Sequence, residues 1–289
     1  MSVSVHRVPT AAAVVLAAFS ATGCVDISAG NVRYTETIER RFTPTGAPTL
    51  HVSTFDGSVE VTAWDRPEVL VTIEKVAVDK AATERMVVTA TQDGDRISVE
   101  VREPRQGGVH WNVGPFSAHV RVSMPAHARV EAETGDGRVA VHDITGDLKV
   151  RTGDGSIRLE HVNGGIDAAS GDGSVDIDGA VSTLKIRSGD GRMHLRTTSA
   201  AATGDWEVAT GDGTVVLEVP ETFGAELDAM TGDGRVRVDG VEFSGETDRD
   251  DRSRAQGRLG QGGARVTIRS GDGGITIRRA EAADSDSRH

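Results

Sequence analysis

The tetrapeptide Thr/Ser-Gly-Asp-Gly occurs seven times in this chain, and its spacing restricts the fold to a repeat architecture. The copies are Thr134–Gly137, Thr152–Gly155, Ser170–Gly173, Ser188–Gly191, Thr210–Gly213, Thr231–Gly234 and Ser270–Gly273. Their aspartates step by 18, 18, 18, 22, 21 and 39 residues. A period near 20 residues marks a solenoid, in which each unit hides its apolar face against its neighbours. The last step equals 18 plus 21, which predicts one coil carrying an insertion.

Aligning the copies shows two strands per coil. Two positions after the second glycine stand Val139, Ile157, Val175, Met193, Val215, Val236 and Ile275. Four positions after it stand Val141, Leu159, Ile177, Leu195, Leu217, Val238 and Ile277. The residues between are mostly polar, so the pattern has period two, apolar inward and polar outward. A second strand follows with inward pairs Leu148/Val150, Ile166/Ala168, Leu184/Ile186, Trp206/Val208, Leu227/Ala229 and Val266/Ile268. The insertions fall between the two strands and are expected in loops. Coils stacked at ~4.8 Å would make columns of Val, Ile and Leu. Glycine tolerates positive φ, so Gly-Asp-Gly is expected to supply a sharp turn in each coil. The preceding Thr or Ser can add a ladder of hydroxyls. The fold expected is all-β, a single-stranded parallel β-helix or β-solenoid with coils of about 18–22 residues and an irregular N-terminal part.

The chain has 289 residues, 3% aromatics and 35 glycines, a lean and turn-rich profile rather than a thick globular core. Its net charge of −12, without a basic patch, argues against nucleic-acid binding. The N-terminus reads as an export signal over residues 1–23: His6 and Arg7, then the apolar run Ala11–Phe19, then Ala21-Thr22-Gly23 before Cys24. This resembles a bacterial lipobox, with Ala21 where Leu is usual. Cys24 is the only cysteine, which excludes an internal disulfide and favours lipidation there. The implied location is the cell envelope, with the membrane reached through the lipid anchor and no transmembrane helix beyond the N-terminus.

Residues 24–48 read as a polar tether. Residues 49–130 read as the irregular N-terminal part of the solenoid, or else as a small separate β domain. They include one helical candidate, Asp79–Met86. Residues 131–279 form the regular array, with Glu242–Gly260 an exposed loop or disordered insertion. Residues 280–289 read as a disordered tail. The stretch Phe55-Asp56-Gly57-Ser58-Val59-Glu60-Val61-Thr62-Ala63-Trp64, the later Met124-Pro125-Ala126 and the Gly-Asp-Gly-x-Val/Ile repeats resemble the DUF4097 β-strand-repeat family. That family comprises bacterial envelope proteins often labelled candidate adhesins, and the resemblance covers about residues 49–278. It implies a β-helix-like fold and an exported, often lipid-anchored location. It implies no established activity and no catalytic residues.

Two chemical readings of the repeat compete. Asp136, Asp154, Asp172, Asp190, Asp212, Asp233 and Asp272 would line one edge about 4.8 Å apart, where Ca²⁺ could offset their repulsion. Against calcium, each Asp sits between glycines and the second turn of the coil is irregular. An Asp beside Gly has a local explanation as a turn residue, and Arg138, Arg192 and Arg235 follow the motif directly. The turn reading is therefore preferred, and no cofactor is expected. The nine histidines show no metal-ligand spacing, and no nucleophile elbow or phosphate loop is present. Trp64 and Trp111 are candidate ligand contacts able to stack on a sugar ring, while Trp206 falls on an inward column. Together these features point to a structural or binding module of the envelope, with an unidentified envelope protein or glycan as partner. A calcium-stiffened spacer and a polysaccharide-active enzyme stand as alternatives.

Overall fold

A computed structural model describes residues 21–28, 31–103, 116–247 and 252–281. The N-terminal part supplies β1 (Ala21–Ser28), β2 (Asn31–Phe42), β3 (Thr49–Thr54), β4 (Val59–Trp64), β5 (Val69–Ala77), helix α1 (Lys80–Arg85), β6 (Val87–Asp93), β7 (Arg96–Arg102) and β8 (Phe116–Pro125). The regular array supplies β9 (Arg129–Thr134), β10 (Val139–His142), β11 (Leu148–Thr152), β12 (Ile157–Ala169), β13 (Val175–Ser188), β14 (Met193–Thr197), β15 (Trp206–Thr210) and β16 (Val215–Val219). The C-terminal end supplies β17 (Ala225–Thr231), β18 (Val236–Asp239), β19 (Phe243–Thr247), β20 (Arg254–Leu259), β21 (Arg265–Ser270) and β22 (Ile275–Arg279).

These strands stack in two columns. Sheet I runs β1-β2-β5-β8-β4-β10-β12-β13-β14-β16-β22-β18. Sheet II runs β6-β7-β3-β9-β11-β12-β13-β15-β21-β17-β20-β19. Strands β12 and β13 each pass through the corner and serve both sheets. Pairing within the array is parallel and in register: Val139 faces Ile157, Ile157 faces Val175 and Val175 faces Met193. The inward columns read from the sequence are buried in one continuous cluster that runs from Ile38 to Ile277; Val238, at the outer coil, is only partly covered. Each short strand has a single apolar face, so stacking is what removes that face from water.

Neither end follows sequence order. At the C-terminal end, β15 and β16 pair with β21 and β22, and those in turn pair with β17 and β18. The last coil in sequence therefore lies one level inside the coil that precedes it. The 39-residue step is thus not one coil with an insertion. The chain skips a level, returns, and fills the gap. The N-terminal end has the same arrangement, because β3 and β4 lie between β7/β8 and β9/β10.

Two further expectations change. Residues 243–247 and 254–259, read as part of a loop, form β19 and β20; β20 runs antiparallel along β17 and covers that edge. The stretch read as a tether carries β2, which pairs with β5 over nine residues and buries Ile38 and Phe42. Open strand edges invite pairing with other chains, and antiparallel additions at both ends move the edge away from the coil stack. Helix α1 closes the N-terminal corner, with Asp79 accepting from the Ala82 amide at 2.7 Å. Beneath it the buried Lys75 donates to the Thr83 carbonyl at 3.0 Å and meets Glu36 at 2.8 Å.

Candidate functional site

The Thr/Ser-Gly-Asp-Gly copies stack directly on one another. Each threonine or serine is buried and donates its hydroxyl to the carbonyl of the second glycine in the adjoining coil. Thr134 reaches Gly57 at 2.7 Å, Thr152 reaches Gly137 at 2.8 Å and Ser170 reaches Gly155 at 2.8 Å. Ser270 reaches Gly213 at 3.0 Å and Thr231 reaches Gly273 at 2.7 Å, in the spatial order of the coils rather than the sequence order. The glycines are required for a different reason from the one expected. In the seven copies none has the positive φ that only glycine adopts freely. What forbids a side chain is the next coil: a Cβ on Gly155, Gly173 or Gly191 would stand 1.9, 1.9 or 2.0 Å from the carbonyl oxygen of the glycine below. The backbones approach too closely for any other residue.

The seven aspartates line the edge of this stack at turn positions. Two of them reach the adjoining coil: the Asp154 amide lies 3.5 Å from Asp136 Oδ1 and the Asp212 amide 3.3 Å from Asp190 Oδ1. Among the described residues no group of three or more His, Cys, Asp or Glu side chains is placed to hold a metal ion.

The outer face of sheet II carries the more suggestive arrangement. Its central row is Glu131, Lys149, Asp167, Lys185 and Glu207, one residue per strand in direct register. Charge alternates at every level. Lys149 is hydrogen-bonded to Glu131, Arg151 reaches Asp167 at 2.8 Å, Arg129 reaches Asp147 at 2.8 Å and Arg187 reaches Glu207 at 2.7 Å. The hydrogen bond from Lys149 holds the Glu131 carboxyl below its usual range, and the same bond raises Lys149. Alongside runs a shorter row of Asp147, Gly165, Thr183 and Asp205. The small residues there open a groove of about 550 Å³ across four strands, β9, β11, β12 and β13, rimmed by Arg129, Lys149, Lys185 and Asp205. Lys185 is exposed and has no ion-pair or hydrogen-bond partner among the described residues.

Sheet I presents a second ladder, Arg196, Glu218, Arg278 and Asp239. Glu218 is its hub, 9% exposed, with Arg278 at 2.5 Å, His194 at 3.3 Å and Arg196 at 3.5 Å. Burial alone pushes its carboxyl up, but hydrogen bonds from Arg278 and His194 outweigh burial and leave it lowered. Asp228 on sheet II is lowered chiefly by its hydrogen bond from Arg269, at 2.6 Å. Every carboxyl shift resolved among the described residues is downward. A carboxylate held ionised in this way accepts hydrogen bonds and does not serve as a general acid.

The profile of the Toastrack DUF4097 family matches residues 24–278. The chain belongs to that family. Several solved structures share a likeness of fold with this Toastrack chain. A candidate cell-adhesion protein of Clostridium sporogenes is 12% identical, over 85% of this chain and 100% of that one, with a TM-score of 0.34. A candidate adhesin of Bacteroides fragilis is 11% identical, over 84% and 97%, with a TM-score of 0.41. A candidate lipid-binding protein of Parabacteroides distasonis is 11% identical, over 86% and 97%, with a TM-score of 0.47. Among curated proteins none matches the chain.

The Toastrack match begins at the residue read as the lipidation site, Cys24, which lies in β1 opposite Thr35 of β2. Trp64 ends β4, donates Nε1 to the Glu68 carbonyl at 2.8 Å and lies 5.0 Å beneath the Arg66 guanidinium. Those contacts tie down the turn into β5. Trp111 lies outside the described residues. Trp206 is buried against Phe223 at a ring distance of 5.5 Å, as its inward position requires. The groove residues were not singled out from the sequence. The signal was present in Glu131, Lys149, Asp167, Lys185 and Glu207, which occupy equivalent positions and change sign at each coil.

Proposed function

We propose that this Toastrack chain is an exported, lipid-anchored binding module of the bacterial envelope, adhesin-like in action, which holds an envelope glycan or protein on the outer face of sheet II. One observation carries this reading. The groove of about 550 Å³ lies on a rigid parallel sheet, and Lys185 stands unpartnered in a row whose other charges are largely paired. A flat face with polar groups at every ~4.8 Å suits an extended, repeating ligand. Export and anchoring rest on the sequence: the apolar run Ala11–Phe19, the small residues before Cys24, and the absence of any other cysteine. Binding rather than catalysis is supported by the ionised, hydrogen-bonded state of the carboxyls whose shifts are resolved.

The test is a capture experiment from envelope extract, glycans included, with the unlipidated 25–289 fragment and its Lys185→Glu variant. A ligand retained by the parent and lost by the variant is the expected result. Capture that is equal for both would move the site off this face, and no capture by either would reject the binding role. Radiolabelled fatty acid incorporated by the full chain, and not by Cys24→Ser, checks the anchor.

A further inference from the structure

The crossed order of the end coils is written in the charges of the outer faces. In the observed order, three outward acids of the coil ending in β16 meet a basic or neutral residue. Asp205 faces Arg265, Glu207 faces Thr267 and Glu218 faces Arg278. The coil of β17 and β18 then presents Glu226, Asp228 and Asp239 to those same three residues. If the coils were stacked in sequence order, β17 and β18 would lie directly on β15 and β16. The equivalent positions would then oppose Asp205 to Glu226, Glu207 to Asp228 and Glu218 to Asp239. Three acid–acid contacts would form, and Glu218 would lose Arg278.

The N-terminal end obeys the same rule with different residues. Strand β3 separates β7 from β9, so Thr49 stands between Arg96 and Arg129, and Ser53 between Glu100 and Glu133. Sequence order would set Arg96 against Arg129 and Glu100 against Glu133. His51, between Ser98 and Glu131, also gains a contact of 3.4 Å with Glu131. On the strands of the array, like charges at neighbouring levels occur at Glu160 and Asp178, and there the ladder is interrupted: register pairing breaks after Leu159 and resumes at Val162. The turn aspartates are stacked like charges in either order and do not discriminate between them.

We propose that this alternation specifies the coil order, with residues 265–279 selected for the inner slot because they carry the basic or neutral partner for acids on both sides. The inward columns do not choose between the orders. Val266 and Ile268 compete with Leu227 and Ala229, and Ile275 and Ile277 with Val236 and Val238; all are apolar, and although Ala229 is smaller than Ile268, the same set of side chains is buried in either order. Burying the same set of apolar side chains gains much the same transfer free energy either way, whereas like charges directly opposed on neighbouring strands are unfavourable. Discrimination therefore falls to the outer face, as specificity against a competing arrangement often does.

Engineered cysteine pairs in the full chain with Cys24→Ser report the order. Val216 and Thr276 are register partners in the observed order, so Val216→Cys/Thr276→Cys should cross-link. Ala209 and Met230 both pair with Arg269 from opposite sides and stand two strands apart, about 9.6 Å, too far for a disulfide. Ala209→Cys/Met230→Cys should therefore stay reduced. None of the four sites carries a charge. Adding Arg265→Glu, Arg269→Glu and Arg278→Glu should reduce the first cross-link severalfold and raise the second, or lower the thermal midpoint in low salt with recovery in high salt. A charge-neutral control, Arg to Gln at the same three positions, should fall between. The proposal is overturned if the triple Glu chain keeps the first cross-link at full yield, forms none of the second, and melts at the parental midpoint at every salt concentration.

Discussion

At the scale of single residues, the repeat is a stack of contacts rather than a row of sites. Its glycines are fixed by the carbonyl of the neighbouring coil, so a single methyl should be costly where the coils touch and harmless where they do not. Gly155→Ala places a Cβ 1.9 Å from the Gly137 carbonyl oxygen and 2.6 Å from Thr152 Oγ1, which forces the coils apart. Gly274→Ala, in the same turn region of the last coil, meets nothing nearer than the Arg235 carbonyl at 3.6 Å. The first should lose about 2 kcal/mol or more, the second should stay within about 0.5 kcal/mol of the parent, in denaturant unfolding monitored by Trp206 fluorescence. Equal effects would return the glycines to a conformational role. The motif positions and the ladder of hydroxyls were legible from the repeat; the burial of its Thr and Ser side chains was not. The reason for glycine was not, because close approach between coils is a relation between residues 18 or more apart and leaves no mark on the local sequence.

Among the elements, the strands of the array followed from period-two patterning, since an inward Val or Ile and an outward charge differ sharply in transfer energy. Strands β19 and β20 did not, because Phe243–Thr247 and Arg254–Leu259 show no clean alternation. Such edge-covering strands pair through backbone groups more than through buried side chains. The outward ladders add a measurable electrostatic layer, best seen where Glu218 joins β14, β16 and β22. Its folded carboxyl is lowered, so its stabilising effect is complete above the ordinary glutamate value of about 4.3 and is lost as pH falls below that value. Glu218→Gln should therefore cost about 2 kcal/mol at pH 7, and the gap from the parent should narrow steadily as the pH is taken below about 4. Thermal melts of both chains across that range supply the check. A gap that is constant with pH would mean that Glu218 acts through packing and not charge.

For the molecule as a whole, the crossed ends alter how the solenoid should come apart. A solenoid stacked in sequence order loses one coil when its last coil is removed, because each unit leans mainly on its neighbours. Here the last coil in sequence is the second from the end in space. Strands β17 and β18 have no register pairing to β15 or β16 and are joined to them through β21 and β22; only the lead-in residues touch the array directly, where Gly224 bridges Ala201 and Phe223 packs on Trp206. A chain ending at residue 264 should therefore lose more than the residues deleted. Amides of β17, β18 and β20 should lose hydrogen-exchange protection although they remain in the chain, and Trp206, paired with Val266, should become more accessible to quencher. Strands β10 to β14 should keep their protection, because their neighbours on both sides are untouched. Retained protection in β17 would mean that it docks directly on β15 once β21 is gone. That result would show that Glu207 opposite Asp228 is too weak a penalty to keep the two coils apart, whereas its loss would locate in the C-terminal fifteen-residue coil the strands that hold the end of the solenoid together.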